Sequence, residues 1–299
     1  MSELRPATAQ PAPGGRTPGR VAAAPRASRR RLLQALAAAW LGRPAAAAAL
    51  TGGDGHADPR PGTAGSAVGS LAVNGQLFSA VRVGPRQVLT AAHIVAGAPP
   101  AGVVLRTPLG GGRAIAAVAI SVHPGYTAST TGRPPSDPAV QSDLAIVHLE
   151  TAPPAELATA RIYPGDLGGR LLELVSHGGS TSLQRSGENR IERLFANAQG
   201  QPASYLFVVE NAATAPPRSR EAGLAAGDSG SAAFVRSADG GWQLAGINTY
   251  RLQVRTPAAT LDAGGGVVLA PHARWIEEVV KAGPPPPPAA TPTPPPGQR

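Results

Sequence analysis

The sequence predicts an all-β fold that ends in one short helix. Three observations point to it. Between about residues 66 and 270, short β-rich runs recur, each set off by Gly, Pro, Asn or Ser. These runs do not alternate with helical patterns, as βαβ units would require. Only residues 271–281, PHARWIEEVVK, carry an apolar face at helical period.

In chain order the runs are SAVGSLAV, LFSAVRV, QVLTAAHIV, GVVLRT, AIAAVAISV, DLAIVHL, LLELVS, SYLFVVE, GSAAFV, WQLAGINTY and GGVVLA. Runs of roughly five to eight residues between turn formers pair as antiparallel neighbours and build a sandwich or barrel. No internal repeat holds a fixed period, and the length accommodates two sub-barrels of similar size. In the helix, Pro271 suits the first turn. Trp275, Ile276, Val279 and Val280 share one face, and Glu277, Glu278 and Lys281 lie outside it.

The two ends have different chemistry from this middle. Residues 28–34, SRRRLLQ, precede the apolar run ALAAAWLG, then Arg43, Pro44 and the small-residue stretch AAAAAL. A charged region, an apolar region and a small-residue cleavage site in that order describe an export signal. The paired Arg29 and Arg30, with Leu32 and Leu33 behind them, resemble a twin-arginine signal, which implies bacterial export to the periplasm or beyond. Arg43 and Pro44 end the apolar run well short of the ~20 residues a membrane span needs, so no stable membrane insertion is expected after signal removal. Residues 283–299, GPPPPPAATPTPPPGQR, lack the donors for a sheet ladder and favour extended polyproline II.

Charge and cysteine content narrow the functions. Residues 1–50 hold eight Arg and one Glu, so they supply +7 of the net +9 and leave +9 − 7 = +2 for the rest. The basic character therefore belongs to the leader, and no nucleic-acid partner is expected. The chain has no Cys, which excludes disulfides, thiolate metal sites and a Cys nucleophile. No metal or other cofactor is expected, and the chain is expected to be monomeric.

Three of the runs carry groups that belong together chemically. QVLTAAHIV holds His93, QSDLAIVHL holds Asp143, and AGDSGSAAF holds Ser229. A serine hydroxyl is a poor nucleophile until an imidazole takes its proton, and the imidazole needs a carboxylate on its other nitrogen to fix its tautomer. Asp137 lies in the Pro-rich PPSDPAV and is the poorer candidate for that carboxylate. His56, His123, His148, His177 and His272 show no metal-ligand spacing. They are expected in loops or on the surface, with a structural role for His123.

The order His, Asp, Ser and the words around each residue resemble the chymotrypsin-like serine peptidases over about residues 50–281. VLTAAHIV resembles the family's TAAH segment, SDLAIVHL its Asp segment and GDSGS its nucleophile segment. VHPGY at 122–126, LAGINTY at 244–250 and RWI at 274–276 add to the likeness. The Ser, Asp, His order of an α/β-hydrolase is absent.

The resemblance implies two antiparallel six-stranded β-barrels packed face to face, with a short C-terminal helix. Residues 1–49 would be the export signal, 50–160 the barrel carrying His93 and Asp143, 161–282 the barrel carrying Ser229 plus the helix, and 283–299 the tail. It implies a serine endopeptidase acting on polypeptides, with Ser229 as nucleophile, His93 as general base then acid, and Asp143 orienting His93. The N–H groups of Gly227 and Ser229 would form the oxyanion hole. A catalytically silent or single-target binding protein is the alternative.

The departures from the family matter equally. Its usual cysteine pair falls here on Ile94 and Phe78, so both halves are replaced by apolar residues. The pocket residues would be Gly223 at the base with Thr249, Tyr250 and Arg251 on the wall. Gly223 cannot select a basic side chain, so small or medium apolar side chains are expected at the cleaved bond. Acidic ones are the runner-up, through Arg251 with Arg255, although Asn248 stands where glutamyl relatives carry His. Glu221 would enter the pocket only if the loop shifts. Asp228 is the expected partner of a new N-terminus freed near Ala49; local hydrogen bonds to Asp228 are the other possibility.

Overall fold

The computed structural model describes residues 50–52, 57–108, 112–127, 129–179, 183–209, 220–257 and 259–286. All fall within the compact unit Leu36–Arg299. The export signal at 1–49, His56 and most of the Pro-rich tail lie outside the described residues.

After β1 (Thr51–Gly52), strands β2 (Val68–Val73) and β3 (Gln76–Arg82) form a hairpin. Its turn is Asn74-Gly75, both at positive φ (50° and 84°), the backbone that matches the twist of a two-residue hairpin. β4 (Gln87–Thr90), helix α1 (Ala92–Val95), β5 (Val103–Arg106), β6 (Ala114–Val122) and β7 (Ala145–Leu149) complete the first half. The six strands β2 to β7 close into an antiparallel barrel in the order β2-β3-β4-β7-β6-β5.

The second half contains β8 (Leu171–Ser176), β9 (Arg185–Arg190), β10 (Arg193–Ala196), β11 (Pro202–Val208), β12 (Ala222–Gly223), β13 (Ala232–Arg236), β14 (Trp242–Arg255), β15 (Thr260–Val268) and helix α2 (Ala273–Ala282). Its main sheet is antiparallel with seven strands, in the order β10-β11-β15-β14-β13-β8-β9. The expected count of six differs by one for a simple reason. The two edge strands, β9 and β10, are separated in sequence only by Ile191 and Glu192, so they are one bent strand, and Glu192 N–H donates to Leu206 O of β11 (2.9 Å).

Strand alternation explains how the halves meet. Val88 of β4 and Val147 of β7 point into the first barrel with Leu71, Leu105 and Ile115. Their neighbours Leu89 and Ile146 point the other way, against Val175, Phe234, Leu244 and Ile247 of the second sheet. One strand thus supplies both a barrel core and an interface, because successive side chains leave opposite faces. Phe78 and Ile94 both pack on the first barrel's apolar cluster, so apolar burial takes the place of the family's cysteine pair at these positions.

Of the histidines expected in loops or on the surface, His148 departs most, lying buried within β7, whereas His123 sits where a structural role was expected. His148, His177 and His272 are buried, and His123 is half-buried. His148 sits mid-strand between Gln87 and Ala119, where Ser121 Oγ lies 2.9 Å from its Nε2. His123 and His272 join the first barrel to the approach of α2, with Nε2 and Nδ1 3.1 Å apart and the His123 ring edge-on to Trp275. Gly125 N–H donates to His123 Nδ1 (3.1 Å), so the ring proton sits on Nε2.

Burial, with the adjacent His272 second, pushes His123 down to about 4. The folded chain therefore binds fewer protons than the unfolded one from pH 6.5 down to 4. Stability from this group is complete above 6.5 and is lost as pH falls through that window. In His123→Asn, which does not titrate, the stability difference from wild type should shift in favour of the variant by ~1–2 kcal/mol between pH 7.5 and 4.5, after allowance for solvent around a half-exposed ring. Urea denaturation at the two pH values measures this; an unchanged difference would refute it.

Candidate active site

His93 enters the site from α1, a single turn after β4. Ala91 and Ala92 beside it are fully buried, and their small side chains let the turn lie against the barrel. Asp143 follows the 3₁₀ turn Val140–Ser142 just before β7, and its side chain is fully buried. Its Oδ1 accepts the His93 backbone N–H (2.8 Å), and its Oδ2 lies 2.7 Å from His93 Nδ1. Thr130 Oγ1 donates to the same Oδ2 at 3.3 Å. These contacts require His93 to carry its proton on Nδ1, which leaves Nε2 as an acceptor. Ser229 Oγ is 2.8 Å from that Nε2.

Ser229 comes from the other half, on the tight loop between β12 and β13. Two glycines make the loop possible. Gly227 has φ of 93°, and a Cβ there would lie 2.6 Å from Gly179 Cα. Gly230 has φ of 80°, and a Cβ there would lie 2.2 Å from Ser79 O. The loop is also held by the first barrel, since Ser79 N–H donates to Ser229 O (3.1 Å). Among the described residues the N–H groups of Gly227 and Ser229 donate to no protein acceptor. Two free amides beside a serine hydroxyl are the equipment for binding an oxyanion.

Asp228 is buried beneath this loop at 1% exposure. Its Oδ2 accepts Ala225 N–H (2.7 Å) and Leu50 N–H (3.0 Å), and its Oδ1 accepts Ser176 Oγ–H (2.5 Å). Burial raises its pKa to about 6 against the pull of those donors.

The pocket residues are distributed as follows. Gly223 is buried in β12 and pairs with Thr51 of β1. Glu221, half-buried, presses its backbone oxygen against Gly52. The space above Gly264 is occupied by the Phe207 ring and Leu224 Cδ1, about where a Cβ would stand. Asn248 is fully buried, bonded to Tyr205 OH (2.7 Å) and Ser231 Oγ (2.9 Å). Thr249 is buried with its hydroxyl unpartnered, Tyr250 OH donates to Tyr205 O (2.5 Å), and Arg251 and Arg255 are exposed.

β14 supplies a second feature, which its short sequence run concealed. β13 covers it only from Trp242 to Ile247, whereas β15 follows it to Arg255. Among the described residues, one edge of β14 has no strand partner from Thr249 onward, and that stretch begins beside Asn248, whose backbone O accepts Gly230 N–H (2.9 Å). An open strand edge is where an extended peptide can add as a strand.

A closed six-stranded barrel and a second antiparallel sheet, with His and Asp on one and Ser on the other, define the class of trypsin-fold serine peptidases. Residues 78–247 match the trypsin-like peptidase domain family. The chain belongs to that family. Among solved structures it is similar to the scabies mite inactivated protease paralogue S-I1. The identity is 15%, the TM-score is 0.54, and the match covers 78% of this chain and 100% of the other. No curated protein sequence matches.

Proposed function

We propose that the chain is a serine endopeptidase that hydrolyses peptide bonds through an acyl-enzyme. The observation that carries this reading is the unbroken row Asp143–His93–Ser229, with steps of 2.7 and 2.8 Å across the two halves. His93 Nε2 takes the Ser229 proton as Oγ attacks the scissile carbonyl. Asp143 holds the imidazolium, and the Gly227 and Ser229 amides receive the negative oxygen. His93 then returns the proton to the leaving amine, and water repeats the sequence on the ester.

At the cleaved bond the reading is a small or medium apolar side chain, supported by the absence of a carboxylate at Gly223. Export is proposed from the Arg pair and apolar run of residues 1–49; cell fractionation of the intact chain, finding it outside the cytoplasm, tests it. For the activity, a fluorophosphonate should modify Ser229 alone, and a positional-scanning peptide library should show cleavage after small apolar residues. Absence of label would leave the fold as a binding protein. Dominant cleavage after Arg or Lys would refute the pocket assignment.

A further inference from the structure

Asp143 aims its carboxylate from a very short turn. Its φ of −73° and ψ of 65°, with Leu144 N–H donating to Ser142 O (2.7 Å), form an inverse γ-turn centred on Asp143. One hydrogen bond closes that turn, so its orientation depends on what holds its flanks. His123, the residue after β6, holds one of them by giving its backbone N–H to Leu144 O (2.9 Å). Gly125 stands against the other, so close that a Cβ there would lie 2.5 Å from Ser142 Oγ. Gly125 N–H in turn donates to His123 Nδ1, so the ring proton of His123 sits on Nε2 and is given to His272 Nδ1, 3.1 Å away. His272 lies in the 3₁₀ turn that leads into α2. The backbone carbonyl of Gln141, two residues before Asp143, draws a proton toward that second ring.

Two further observations make this pair more than filling. Burial, with His272 second, holds His123 down to about 4, and burial lowers His272 against the pull of the Gln141 carbonyl. Each ring therefore carries a single proton at neutral pH, and the order of donors from Gly125 through His123 to His272 runs one way. The pair also spans the molecule, because His123 belongs to the first barrel and His272 follows β15, while Trp275 of α2 packs edge-on to His123. We propose that His123 and His272 are positioning residues: joined as a neutral imidazole pair, they fix the γ-turn of Asp143 and so the aim of its carboxylate at His93 Nδ1. The docking of α2 is thereby part of the site. The proposal deepens the peptidase reading and rests on it for its kinetic consequences alone.

The variants follow from the shape of the rings. In His123→Asn the amide keeps an acceptor for Gly125 N–H but loses the donor to His272, whereas in His123→Gln the longer amide supplies that donor again. His272→Phe keeps a ring and removes the acceptor. The experiment measures kcat and KM on a peptide substrate together with the far-downfield proton resonance of His93 Nδ1–H, which reports the bond to Asp143 without any turnover. His123→Asn and His272→Phe should each lower kcat by about 3–10-fold with KM within about twofold, as expected for one lost hydrogen bond that acts through Asp143. The double variant should be little worse than either, because both cut the same link. In both single variants the His93 resonance should move upfield and exchange faster with water, and His123→Gln should restore resonance and kcat together, which a general packing defect would not allow. If His272→Phe does not fold, the two His123 variants decide. Folded variants with wild-type kcat and an unmoved resonance overturn the proposal, even if their thermal stability falls. If the wild type neither turns over peptides nor takes a fluorophosphonate, the peptidase reading fails; the positioning role then stands if the resonance moves in His123→Asn and returns in His123→Gln, and falls if it does not.

Discussion

Ser229→Ala and His93→Ala should each lower turnover by about 10⁴–10⁶, and the double variant should be little worse than either. The row of hydrogen bonds explains why the losses do not add. Without Ser229 the reaction has no atom to form the acyl bond. Without His93 the hydroxyl keeps its proton at neutral pH, so the nucleophile is present but idle. Whichever is removed first, the other has nothing left to do. Both variants should stay folded, because His93 is partly exposed at 27% of its side chain and, among the described residues, Ser229 Oγ hydrogen-bonds to that ring alone. Peptide turnover beside a thermal melt checks this. Activity retained in Ser229→Ala would show that the serine has another role.

Gly227→Ala should lower kcat by about 10²–10³ without a comparable change in KM, the size expected when an oxyanion donor is displaced. The position is closed to a side chain twice over. Its φ of 93° is a backbone that L residues adopt at a cost of roughly 1–2 kcal/mol. The added methyl would also lie 2.6 Å from Gly179 Cα and 2.7 Å from Gly179 N, neither of which can rotate away. The loop must therefore turn its amide out of the site while the His93–Asp143 pair, in the other half, is untouched. Burst and steady-state kinetics on a peptide ester separate the two effects. A variant with wild-type kcat would place the oxyanion donors elsewhere.

Much of this was legible in the residues because local and global signals agree. AIAAVAISV, DLAIVHL and LLELVS correspond to β6, β7 and β8; β6 alternates buried and more exposed positions, whereas β7 and β8 are buried almost throughout, as their near-continuous apolar runs imply. The terminal helix starts two residues later than its periodicity implies, because residues 270–272 form a 3₁₀ turn first. β9, RSGENR, was invisible as a strand because its polar side chains are satisfied only by the tertiary structure. Arg220, for example, bridges Glu188 of β9 and Glu173 of β8. β14 was read as ending at Tyr250, although Leu252 and Val254 continue its inward face against Leu206 and Ala263. The fold brings His93, Asp143 and Ser229 together, and they stood out in the sequence because a serine, an imidazole and a carboxylate meant for one another need particular neighbours. Ser79 and Ser176 did not, since a serine in a strand reads as solvent-facing until the opposite barrel is known to cover it.

The open edge of β14 also bears on how this chain behaves among copies of itself. Unpaired peptide groups along a strand accept any extended chain, a second molecule included. A symmetric antiparallel pairing of two copies centred on Gln253 would set Arg251 of each against Arg255 of the other. Like charges held directly opposite on a ladder repel. Both arginines are exposed on this edge. Such a pairing would therefore press two facing pairs of cations together, a repulsion that added salt weakens as it shortens the reach of charge.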